Sequence, residues 1–90
     1  MPKIKIPTLM VYYVNGEYEI NLPGTILKEI LSNLITRYPD IEYQLFDGKN
    51  TLRRHINIFI NDKNIKDLEQ LNSSINENDI IRIVPSISGG

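Results

Sequence analysis

The sequence predicts an α+β fold in which a mixed sheet packs against one amphipathic helix. Three observations lead there: an Asn-Gly pair between two apolar runs near the N-terminus, one long stretch of helical periodicity, and two later strand-like segments, one of which alternates cleanly.

Residues 3–14 are rich in Ile, Leu, Val and Tyr, and VNGEYEINL sets Asn15-Gly16 before a second apolar run. Asn-Gly accepts the positive φ angles of a tight turn, so a β-hairpin is expected there. LPGTILKEILSNLITRYP then holds a helix. Thr25 is its expected N-cap, Ile26, Leu27, Ile30, Leu31, Leu34, Ile35 and Tyr38 recur on one face, and Pro39 stops it. Residues 40–46 read as a short helical turn and Asp47-Gly48-Lys49-Asn50 as a loop. RRHINIFIND alternates, with Ile56, Ile58 and Ile60 on one face and His55, Asn57 and Phe59 on the other, before a turn at Asn61-Asp62. A brief strand near 64–66, a helical turn near 68–71 and a last strand in NENDIIRIVP, closed by Pro85, complete the chain. Hairpin, helix, strand, short strand, strand is the β-grasp order. It places the first and last strands side by side and parallel at the centre. The expected organisation is a domain over 1–85 and a flexible diglycine tail over 86–90.

Ninety residues suffice for one domain with a modest core, burying about 60 to 65% of the unfolded surface. The apolar runs are a few residues long, far short of a membrane span, and Lys3 and Lys5 alternate with Ile4 and Ile6 where a leader's apolar stretch would begin, so a cytoplasmic location is expected. Ten basic against eleven acidic residues leave a net charge of −1, which offers no electrostatic footprint for nucleic acid or a membrane surface. With no cysteine and one histidine, neither thiol catalysis nor a metal site is expected. His55, beside Arg53 and Arg54, reads as a surface residue. NDKN and NEND lack the spacing and glycine of a calcium loop and read as turns.

The sequence ends SISGG. Glycine loses more backbone freedom on ordering than any other residue, so a Gly-Gly pair is a poor way to finish a strand or helix. It is well suited to threading a slot too narrow for a Cβ. Residues 85–90 reach at most about 20 Å when extended, enough to enter another protein's active site. A terminal carboxylate can attack the α-phosphate of ATP, and becomes a good acyl electrophile only as the adenylate, so the chemistry requires a partner enzyme that supplies Mg²⁺ and the nucleotide. Before accepting the tail, that partner must recognise the body. Phe59, Arg82 and Val84 are expected on the sheet face away from the helix, near the tail root, with Ile87 extending the patch.

At this point the chain resembles the ubiquitin-like sulfur carriers, the family of the molybdopterin synthase small subunit and the thiamine sulfur carrier. NDIIRIVPSISGG resembles the family's ending: an acidic residue before the last strand, proline after it, an apolar residue three places before the last glycine. KIKIPT and LRRHINIFIND are similar to the branch that supplies sulfur for cysteine biosynthesis in actinobacteria, and FDGKNTLRRH is longer than its counterpart in the compact molybdopterin subunits. The resemblance spans nearly the whole chain. It implies a carrier and not an enzyme, with no bound cofactor. A ubiquitin-activating-type adenylyltransferase and sulfurtransferase would use ATP and Mg²⁺ to adenylate Gly90 and convert it to a thiocarboxylate, with Gly89 giving access. The acceptor would be a pyridoxal-phosphate-dependent cysteine synthase, which holds an activated serine derivative, or the molybdopterin synthase large subunit. A carrier without cysteine offers no competing thiol. Three other readings share these residues: a protein modifier joined to lysines by isopeptide bonds, a molybdopterin synthase small subunit in a stable complex, and a plain binding module.

Overall fold

Alternating isoleucines build the inner face of the sheet. In the computed structural model, which describes residues 1–86, strand β3 (Ile56–Ile60) buries Ile56, Ile58 and Ile60 and leaves Asn57 and Phe59 half-buried on the other side. Strand β5 (Ile80–Pro85) repeats the pattern, with Ile81 and Ile83 inward and Arg82 and Val84 outward. Strands β1 (Lys3–Lys5) and β2 (Glu19–Asn21) turn Ile4 and Ile20 inward. With β4 (Lys63–Asn64), the order is β2-β1-β5-β3-β4, in which β1 and β5 are parallel and the other neighbours antiparallel. The first and last strands lie side by side at the centre, as the element order predicts.

Helix α1 (Leu27–Arg37) covers the inner face. Leu27, Ile30, Leu31 and Leu34 are buried at helical spacing, while Lys28, Glu29, Ser32, Thr36 and Arg37 face solvent. Met10, Val14, Ile41, Leu45, Ile65 and Ile75 close the core around them. Each fully buried aliphatic side chain contributes about 1.5–3 kcal/mol. Pro39 ends the helix and opens a 3₁₀ turn, Pro39–Ile41, that leads into the short α2 (Glu42–Leu45). A mixed sheet gripping one main helix is the β-grasp, ubiquitin-like fold.

Three local expectations are corrected. The hairpin is not built on a long first strand: β1 stops at Lys5, and Thr8–Val14 forms a 3₁₀ helix that buries Met10 and Val14. Pro7 explains the change, since it has no N–H to give a ladder, while its carbonyl accepts the Met10 N–H. Asn15 and Gly16 do take positive φ, 59° and 77°, but they terminate that helix, the Gly16 N–H donating to the Val11 carbonyl. Second, Thr25 does not cap α1. Its N–H donates to Glu29 Oε1 at 2.8 Å, Ile26 holds the cap position with no side-chain bond, and the Leu27 N–H donates to the Ser73 carbonyl. A neighbouring loop thus satisfies a first-turn donor that a hydroxyl was expected to serve. Third, the short strand is Lys63–Asn64, because the Asn64 carboxamide accepts the Lys66 N–H and starts a 3₁₀ turn at once.

Candidate functional site

The last described residues leave from the middle of the sheet. Pro85 lies opposite Ile56, and the Ser86 N–H donates to the His55 carbonyl at 2.6 Å, so the ladder continues one bond beyond the proline. The imidazole of His55 is exposed, and its backbone does this work. Ile87, Gly89 and Gly90 lie outside the described residues.

The outer face of the sheet presents one row across all five strands: Glu19, Lys5, Arg82, Phe59 and Asn64, each the register partner of the next. Glu19 receives both Lys3 (3.3 Å) and Lys5 (3.8 Å), so charge on the β2 side is paired within the sheet. Arg82 forms no ion pair among the described residues. Phe59, Arg82 and Val84 line a single shallow depression, and Val84, 39% exposed, leaves its apolar side chain open to solvent. The three residues singled out from alternation therefore share one surface. Asn61 and Asp62 complete its rim and were legible only as a turn, although Asn61 follows Phe59 by two residues and so falls on the same side. Asn61 stiffens the rim: its side chain donates to Asp79 Oδ1 and accepts the Ile80 N–H, and its own N–H donates to the Ile80 carbonyl.

No group of three or more His, Asp or Glu residues is placed to hold a metal among the described residues, nor is any helix there long and apolar enough to cross a membrane. The depression brings together a cation with no ion pair among the described residues, an aromatic ring and an aliphatic side chain.

A model of the ThiS family matches residues 11–90. The chain belongs to the ThiS family. Among individual proteins it is similar to the sulfur carrier protein CysO of Mycobacterium tuberculosis, 28% identical over 89 residues that cover 97% of this chain and 96% of that one. Among solved structures it is similar to a chain of the Amycolatopsis orientalis BexX/CysO complex, with a TM-score of 0.92, 26% identity and full coverage of both chains. It is also similar to small archaeal modifier protein 1 of Methanosarcina acetivorans, with a TM-score of 0.85 and 34% identity over 99% of this chain and 95% of that one. This ThiS-family chain is thus CysO-like along its length, which supports a sulfur-carrier role.

Proposed function

We propose that this protein is a sulfur carrier whose Gly90 carboxylate is activated and thiolated by a partner enzyme, most directly for cysteine biosynthesis. The observation that carries the reading is that β5, whose Arg82 and Val84 line the surface with Phe59, leads into the tail of a chain similar to CysO over 97% of its length. In the reaction, a Gly90 carboxylate oxygen attacks the α-phosphorus of ATP and pyrophosphate leaves, giving an acyl adenylate. A sulfur donor then displaces AMP to give the thiocarboxylate. ATP and Mg²⁺ belong to the activating partner, and this chain contributes the acyl group, its delivery and the recognition surface. Thiocarboxylate sulfur is a softer and stronger nucleophile than carboxylate oxygen, so it can attack an activated serine derivative held by a pyridoxal-phosphate enzyme without release of free sulfide. The absence of cysteine in the chain leaves Gly90 the sole sulfur-bearing position apart from the two methionines.

The archaeal likeness favours a second reading, attachment to lysines, which shares the activation step and differs in the acceptor. Intact-mass analysis of protein isolated from its native cell separates the two. Exchange of one oxygen for sulfur at Gly90, or an appended cysteine, supports the carrier; isopeptide conjugates with neither support the modifier. An alanine added after Gly90 is expected to abolish ATP-pyrophosphate exchange with the activating enzyme, and unchanged exchange would overturn both readings.

A further inference from the structure

Strand β3 is paired along its whole length on one side and only at its end on the other. Beta5 partners all five of its residues, whereas β4 partners only Phe59 and Ile60. The bonds that flank the β3–β5 ladder, Ser86 N–H to His55 O and Asn61 N–H to Ile80 O, fix its alternation, so the peptide groups of Asn57 and Phe59 face β5 and those of Ile56 and Ile58 face away. The Ile56 N–H is used locally by the Arg53 carbonyl. What remains along this side is a groove of about 650 Å³ between the loop before β3 and the turn after β4.

The charged side chains lining the groove are Arg53, Arg54 and Lys66, with no carboxylate, although the whole chain is net negative. Arg53 is held in place, its Nε donating to the Tyr43 carbonyl at 2.6 Å, while Arg54 and Lys66 are exposed on opposite walls. Carboxamides of Asn57, Asn64 and Gln70 add uncharged donors and acceptors. An open strand edge between cationic walls matches an extended chain that brings its own backbone bonds and carboxylates. We propose that the unpaired edge of β3 takes an extended acidic segment of a partner protein as an added strand, with Arg54 and Lys66 pairing its carboxylates. The free edge spans three residues, roughly 10 Å at about 3.3 Å per residue, so backbone bonds alone are few and the charges select the occupant. This surface is separate from the Phe59, Arg82 and Val84 depression and does not depend on the sulfur-carrier reading.

The test is a nuclear magnetic resonance titration of the full chain with a hexapeptide of alternating glutamate and valine. Amide shifts are expected at Ile58 and Lys66, binding is expected to disappear when the peptide's alternate nitrogens are methylated, and Arg54→Glu with Lys66→Glu is expected to weaken it at least about tenfold. Both residues are exposed, so the double variant should retain the wild-type melting temperature; Arg54→Gln alone, with a smaller loss, serves if it does not. Several results would overturn the proposal: no binding, shifts confined to the Arg82 face, equal binding of the methylated peptide or of a lysine-valine peptide, or inorganic pyrophosphate binding as tightly at the same residues.

Discussion

The Ser86 amide donates to the His55 carbonyl at 2.6 Å, one rung beyond Pro85, and this bond extends the pairing of the two strands past the end of β5. Pro85 contributes no donor, so Ser86 is the final anchor of β5 among the described residues.

Ser86→Pro removes that donor and is expected to cost about 1 kcal/mol, a fall in melting temperature of about 4–8 °C for a domain of this size. Because the acceptor is backbone, His55→Ala should change stability by no more than about 0.5 kcal/mol. Thermal denaturation of the two variants checks both, and a large loss in His55→Ala with none in Ser86→Pro would refute the assignment.

Gly24 precedes α1 with φ +153°, and a Cβ there would sit 2.6 Å from Ile30 Cδ1 and 3.2 Å from the Ile30 nitrogen. Ile30 is fully buried, so it has little room to retreat. Gly24→Ala is expected to destabilise by about 1–3 kcal/mol through backbone strain and overpacking, measured as a lower urea midpoint at unchanged slope.

Arg82 is exposed and without an ion pair among the described residues, so Arg82→Glu should leave the melting temperature nearly unchanged. If the depression it lines is where the activating enzyme docks, kcat/KM for adenylation should fall at least about tenfold, and Val84→Ala should fall less. Wild-type kinetics in Arg82→Glu would remove that surface from the proposed function.

Tyr38 donates its phenol proton to Glu17 Oε2 at 2.6 Å, and this bond, followed by partial burial and the carboxylate's charge, raises its pKa above the ordinary tyrosine value despite the nearby Arg37. A raised folded-state pKa means that the folded chain holds the proton more tightly. The stabilisation is therefore complete below the ordinary tyrosine range and is lost as pH climbs through the raised value. Glu17→Gln should lower the Tyr38 pKa toward the ordinary tyrosine value and shrink that loss, followed by the ring-carbon shifts of labelled tyrosine.

Much of the fold was written in short-range pattern. The period-two isoleucines of β3 and the period-3.6 leucines and isoleucines of α1 each have one burial solution, because a shift of one residue would turn the whole β3 set to water and swing the α1 stripe about 100° off the core. Alternation also placed Phe59, Arg82 and Val84 on the outer face, and the comparisons add the family to which the SISGG ending points. Where local chemistry had competitors, sequence reasoning misplaced the detail. Asn15-Gly16 has the right dihedrals for a hairpin, but Pro7 had already withdrawn the strand; Thr25 has a capping hydroxyl, but the Leu27 N–H donates to the Ser73 carbonyl.

From composition and periodicity alone came the strand and helix faces, their order, and the lack of thiols or a histidine cluster, since these depend on side-chain polarity and spacing within a few residues. Only the tertiary structure decided which backbone groups find partners from distant segments: the rung from Ser86 to His55 and the helix start bonded to the Ser73 loop. Those outcomes rest on contacts between residues tens of positions apart, and a hydrogen bond's geometry across such a span is set by how the whole core packs.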